Sequence, residues 1–355
     1  MKAIELHVKK EPQVHGVPVL TESPMVSVCI TAYNHAPFIE ECIQAVLAQK
    51  TDFDFEILIG EDDSQDGTRE ICEGLANKYP NKIKLFLHHR ENVIEILGKK
   101  TGRFNLCWNL NHARGEYIAL CDGDDFWMDP LKLQKQVDIL ENNEHACISA
   151  HAVQVLKEGQ LSSPDGCQAK GEWNTILDLA EGNFIHTASC MFRSGMDYPD
   201  WLLTTSAADF PLHMLNATKG DIHFSPEVMA VYRDHPGGIW SSQKKSDIQL
   251  RWIHLLLTLL PHFKPEVQAV LLDRVKAFMA QILKESHVAK ESINKKWFEE
   301  ALNSGSPSEK EEMKEMMARI LSASHVDRKD MDLNFLSSQF KAVDLLKALF
   351  KKITG

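Results

Sequence analysis

Asp122, Asp124 and Asp125 put three carboxylates within four residues, separated only by Gly123, directly after the apolar run Tyr117-Ile118-Ala119-Leu120-Cys121. Carboxylates this close repel and raise one another's affinity for protons. A chain that crowds them usually has a cation to neutralise them. A hard divalent ion, held by one or two carboxylates and completed by substrate phosphates, is the simplest resident. Helix capping is the competing explanation, because Asp129-Pro130 follows and acids favour helix starts. Capping accounts for Asp129 and leaves Asp122 and Asp124 without a role. Two other polar runs, Thr31-Ala32-Tyr33-Asn34 and Glu61-Asp62-Asp63, also stand directly after apolar runs.

The elements that must position these residues follow from periodicity. Val26 to Thr31 is an alternating, β-branched strand, and Phe38 to Gln49, after Pro37, carries apolar residues at helical spacing. The same pattern recurs: Phe55 to Ile59 is a strand and Thr68 to Tyr79 a helix, then Lys82 to Leu87 and Thr101 to Ala113, then Tyr117 to Cys121. Strands alternating with helices imply a mainly parallel sheet. In such sheets ligands bind beyond the carboxyl ends of the strands, so all three polar runs should meet on one rim. Farther on, helices are expected over 131–142 and 207–218, and strands over 147–155, 186–193 and 223–233.

The chain has 355 residues, 44% of them hydrophobic, and a formal charge of -11. It can bury a sizeable core, and its acidity argues against a nucleic-acid partner, which would require clustered Lys and Arg. Eight cysteines include no CxxC pair and read as small core residues in a reducing compartment. Neither a signal peptide nor a run of 18 apolar residues is evident, so a cytoplasmic protein is expected. After Ser246 the pattern is almost wholly helical. The expected division is a catalytic domain over 1–242 and an α-helical region over 243–355.

With Val28 to Asn34, Glu56 to Thr68 and Ala113 to Asp125 in this order, each run following a strand, the sequence resembles the glycosyltransferase family 2 enzymes over roughly residues 24 to 240. The resemblance implies an α/β GT-A fold, Rossmann-like with a mainly parallel sheet flanked by helices, followed by the C-terminal helical region. It also implies an inverting transfer of a sugar from a nucleotide-sugar donor, a UDP-sugar, to a hydroxyl of a glycan or lipid-linked glycan. Thr31, Ala32, Tyr33 and Asn34 match the family's first nucleotide-binding loop, and Glu61 with Asp62 the acids that read the base. The family's usual Asp-Asp-Gly is Glu61-Asp62-Asp63 here, which leaves open which acid does so. Asp66-Gly67-Thr68 reads as a turn and cap.

Asp122, Gly123 and Asp124 match the family's Asp-x-Asp motif, which implies Mn2+ or Mg2+ on the donor diphosphate, with Asp124 as direct ligand and Asp122 beside it. Asp125 reads as supporting structure. Asp209, in Ala207-Ala208-Asp209-Phe210, matches the catalytic base; its plain alternative is a helix cap. Arg233 and His235 match a late constellation in which the His completes the metal shell or meets the diphosphate and a nearby Arg offers a second cation at the donor, an imidazole suiting Mn2+ better than Mg2+.

Trp127, Trp173 and Trp240 could stack on sugars or simply sit in the core, and His186 to Ser189 could line the acceptor site. Phe335 to Ile353 is an amphipathic, lysine-rich helix that could pack on the helical region, on a second subunit or on anionic lipid at the inner face of a membrane. A non-catalytic nucleotide-sugar-binding or scaffold subunit with the same fold is the alternative function. A nucleotidyltransferase is weaker, for want of a lysine-bearing glycine-rich phosphate loop.

Overall fold

The structure is a computed structural model that describes residues 2–15, 23–96, 98–164, 169–238 and 245–285. The chain forms two compact units, Met1–Ser241 and Ser242–Gly355. The first unit is built on one large mixed sheet. Its opening half comprises β1 (Val26–Ala32), α1 (Ile39–Leu47), β2 (Phe55–Glu61), α2 (Thr68–Lys78), β3 (Ile83–Leu87), α3 (Arg103–His112) and β4 (Tyr117–Asp122). The later half comprises α4 (Lys132–Asn142), β5 (Ala146–Lys157), β6 (Met191–Arg193), α5 (Asp209–Asn216) and β7 (Asp221–Asp234).

Strand order is Gln13–His15, β3, β2, β1, β4, β6, β5, β7, Trp173–Asn174. Pairing is parallel from β3 through β4, β6 is antiparallel to β4 and β5, and β5 is parallel to β7. In the parallel half, β1 and β2 are buried almost throughout rather than alternating, as strands covered on both faces are. In α1, Ile39, Cys42, Ile43 and Val46 form one buried stripe. The third helix behaves differently: residues 103–110 are all buried, polar ones included. Its Asn105 donates to the Gly60 carbonyl at 2.7 Å and Asn109 to the Ile30 carbonyl at 2.9 Å, which ties α3 to two strands near their carboxyl ends. A Cβ on Gly60 would lie 1.7 Å from Asn105 Oδ1, so the strand needs glycine where the amide approaches.

Strand order reverses direction at β1: β2 and β3 lie on one side and β4 on the other. The register pairs Thr31 with both Gly60 and Asp122, and Ala32 with Glu61. This brings the three polar runs to one rim. Opposite that rim, buried Glu56 accepts from Ser27 Oγ at 2.7 Å and from Arg114 Nη2 at 2.8 Å, bracing the other end of the sheet. The long β7 reaches the rim by pairing Val231 with Phe126 and Ala230 with Trp127, which delivers Arg233 and His235 beside the Asp122–Asp125 turn.

The strand expected over 186–193 is shorter, Met191–Arg193. Thr187–Ser189 is instead a 3-10 turn, closed by Ser189 Oγ donating to the His186 carbonyl at 2.8 Å. A short helix over Ile176–Glu181 was not expected from periodicity. Its signal was the capping box formed by Thr175 and Asp178. In the second unit, helices Lys245–Leu259 and Pro265–Glu285 flank a 3-10 turn at Leu260–His262, and Trp252 stacks on Phe278 with centroids 6.5 Å apart. The lysine-rich helix expected over 335–353 and Trp240 lie outside the described residues. Among those described, no helix is long and apolar enough to cross a membrane.

Candidate active site

Asp122 ends β4 and accepts from Thr31 Oγ1 at 2.6 Å across the parallel pair, and the Thr187 hydroxyl also bonds its carboxylate. Burial, with Asp124 close by, pushes its pKa up to about 7 despite these donors. Gly123 donates its amide to the Thr31 carbonyl at 2.8 Å. A Cβ there would lie 2.8 Å from Ile39, 2.9 Å from the His35 ring and 3.0 Å from the Thr31 carbonyl oxygen, so the turn can be this tight only with glycine.

Asp124 faces two imidazoles. His235 Nε2 is 3.1 Å from Asp124 Oδ2, and His35 Nε2 is 3.7 Å from the same oxygen. Burial holds the His35 ring below its usual pKa, outweighing the pull of Asp124. Sequence reasoning missed His35, whose only signal was its place next to the first polar run. Asp125 is buried and accepts the Arg233 amide at 2.9 Å. The Arg233 guanidinium donates to the Asp124 carbonyl at 2.5 Å, pairs with Glu41 and lies over the rings of Phe126 and Phe38, at 4.4 and 5.1 Å. Arg233 therefore braces the carboxylate turn from behind.

Glu61 and Asp62 have separate environments. Glu61 is fully buried and accepts from the amides of Ser64 and Asp63 at 2.7 and 3.2 Å and from Arg69 Nε at 2.5 Å. Its oxygens are engaged in building the loop. Asp62 is also buried, and its Oδ1 has no hydrogen-bond partner among the described residues. Burial pushes Asp62 up to about 7, against the pull of Arg90. The Arg90 guanidinium lies 4.0 Å from the centroid of the exposed Tyr33 ring and donates to the Asp62 carbonyl at 3.2 Å. Asn34, with φ of 54°, joins two of the loops: its amide donates to Ser64 Oγ at 2.9 Å, and its side chain accepts from Gln65 N at 3.2 Å. Asp66 accepts from Thr68 Oγ1 at 2.6 Å and from Ala36 N at 3.0 Å, as a turn-closing residue does.

Asp209 is the first residue of α5, and Ala208 occupies the cap position, where no side-chain cap bond is made. The Asp209 carboxylate accepts from Asn183 Nδ2 at 3.3 Å and lies close enough to Asp122 to raise its pKa. Asn183 was not singled out from the sequence. Trp127 follows the plain reading: it is 3% exposed, donates to the Ala188 carbonyl at 3.0 Å and packs under the Lys132 ammonium. Trp173 stands at the far sheet edge, its ring 4.8 Å from that of His145.

Among the described residues, no three His, Cys, Asp or Glu side chains enclose a cation by themselves. What the rim offers is an open donor set, one carboxylate oxygen facing imidazole nitrogens. Such a set fits an ion whose remaining ligands come from a phosphate-bearing substrate.

A family model described as Glycosyl transferase family 2 matches residues 27–196. An uncharacterised protein of Mycobacterium tuberculosis is 34% identical over 218 residues, 61% of this chain and 61% of that one. The dTDP-rhamnosyl transferase RfbG of Shigella flexneri is 26% identical over 151 residues, 42% of this chain and 50% of that one. The chain thus spans about three-fifths of the length of the curated relative with the longer match. Among solved structures, residues 1–349 of Staphylococcus aureus TarS superpose with a TM-score of 0.56 at 15% identity, covering 93% of this chain and 91% of that one. The fold is accordingly of the GT-A type. The matched segment carries the Thr31, Glu61 and Asp122 loops and stops short of Asp209, Arg233 and His235. Over residues 27–196, a little under half of its length, the chain is similar to glycosyl transferase family 2.

Proposed function

We propose that the protein is an inverting, metal-dependent glycosyltransferase that moves a sugar from a UDP-sugar to a hydroxyl of a glycan or lipid-linked glycan acceptor. The observation that carries this reading is the convergence on one rim of Asp122 and Asp124, the imidazole of His235, and Asp209 at the head of a separate helix. Asp124 and His235 hold Mn2+ or Mg2+, with Asp122 beside them. When bound, the ion supplies Lewis-acid stabilisation of the charge that grows on the departing diphosphate. Asp62, with its unpartnered buried oxygen, accepts the N–H of the base, while Tyr33 and Arg90 flank that position. Asp209 takes the proton of the acceptor hydroxyl as its oxygen forms the new bond to the anomeric carbon, and the bond to the diphosphate breaks on the opposite face. Arg233 keeps the Asp124 turn in place.

The relatives support a nucleotide-sugar donor. TarS has been solved with UDP-GlcNAc and with UDP, and RfbG is named for a dTDP-sugar. A panel of nucleotide sugars screened by thermal shift with Mn2+, followed by release of nucleotide from those that bind, tests the reading. Binding to the folded state raises apparent stability. Stabilisation by UDP-sugars that requires the ion, with slow UDP release, is the expected result. A protein that binds UDP-sugars and releases no UDP with any acceptor glycan is a binding subunit instead.

A further inference from the structure

Arg103 is a charged side chain that the proposed chemistry does not use. It begins α3, is 2% exposed, and donates through Nη2 to the Thr205 carbonyl at 2.7 Å and to the Ala207 carbonyl. Its Nε and Nη1 have no partner among the described residues. An uncompensated buried cation is costly, so a guanidinium kept here needs a reason. The residues it grips are the approach to α5. Thr205 is itself fully buried, and its hydroxyl donates to the Leu202 and Ala207 carbonyls at 3.0 and 2.9 Å. Two residues beyond Ala207 comes Asp209, a carboxylate near enough to act on the charge of Arg103.

We propose that Arg103 is a positioning residue for Asp209: from α3 its guanidinium clamps the Thr205–Ala207 segment that leads into α5, and so sets where the Asp209 carboxylate stands. The inference rests on Asp209 as the general base. Both carbonyls are held by the one nitrogen, Nη2, at the end of a planar group that reaches them from α3. Other groups acting on the same carboxylate are Asp122 from β4, His213 one turn along α5, Asn183, and the Cys190 thiol. Asp122 disfavours a second negative charge nearby, and His213 is buried, its pKa pressed down to about 4.

The test compares full-length wild type with Arg103→Gln, Arg103→Lys and Asp209→Asn. With the UDP-sugar selected by the screen, Arg103→Gln should lower kcat roughly 30-fold, with UDP affinity within about 2-fold of wild type. Wild-type kcat in a folded Arg103→Gln protein overturns the proposal. Should Arg103→Gln not fold, Arg103→Lys decides: reduced kcat at unchanged UDP affinity supports the clamp, and wild-type kcat overturns it. Full turnover by Asp209→Asn removes the base reading, whereas a slow Asp209→Asn beside a wild-type Arg103→Gln removes only the positioning role.

Discussion

Thr31 donates its hydroxyl to Asp122 Oδ1 at 2.6 Å, and the two residues are register partners at the carboxyl ends of adjacent parallel strands. The polar run after β1 and the carboxylate turn after β4 are thereby one unit. A hydrogen bond to a charged acceptor is worth about 1.5–3 kcal/mol. Thr31→Val, which preserves shape, should weaken Mn2+-dependent UDP binding about 10-fold by calorimetry. Binding equal to wild type would mean that Asp122 needs no orientation.

The approach of His235 and His35 to one oxygen of Asp124 makes a second expectation. Asp124→Ala should abolish the part of UDP binding that EDTA removes from the wild type. His235→Ala should reduce it, on the order of 10-fold, and lower the preference for Mn2+ over Mg2+. UDP titrations in each metal, with an EDTA control, provide the check.

Asp209→Asn preserves size and the neighbouring hydrogen bond but cannot accept a proton. Transfer should fall at least about 100-fold while UDP affinity stays as it was. A variant that turns over normally would remove the base from the proposed mechanism.

Asp62 carries a pH dependence with a definite sign. Its pKa rises from 3.8 to about 7 on burial, so it supports the folded state below the lower value and loses that support as pH rises through the upper one. The gap of roughly 3 pKa units corresponds to about 4 kcal/mol. Asp62→Asn should therefore stabilise the ligand-free protein, more at about pH 8 than at about pH 5, while UDP binding weakens. Urea unfolding at the two pH values, paired with UDP titration, reads both. A variant less stable at the higher pH would contradict the assignment.

Gly123→Ala should destabilise the fold by about 1–3 kcal/mol, because the added methyl meets Ile39, the His35 ring and the Thr31 carbonyl together. Thermal melting with and without UDP and Mn2+ measures the cost.

The amino-acid sequence by itself determined the frame. Apolar runs ending in Thr31, Glu61 and Asp122, with helical periodicity between them, allow little besides a parallel sheet with those loops on its carboxyl rim. The capping box at Thr175 and the turn at Asp66 were equally local, and so equally legible, though only the second was read. The tertiary structure alone decided which polar groups are already spoken for. Glu61 serves its own loop and Asp62 does not, because Arg69 arrives from α2. Arg233 braces the Asp124 turn because β7 pairs with Phe126 and Trp127. His35 meets Asp124 because Gly123 lets the turn close on the residues following β1, and Arg103 reaches the approach to Asp209 from more than a hundred residues away. Periodicity records which face of an element is buried, a property of neighbours in sequence. Hydrogen-bond partners are chosen by packing between distant elements, so the rim where the polar runs meet could be located from the chain but the contacts of its residues could not be divided.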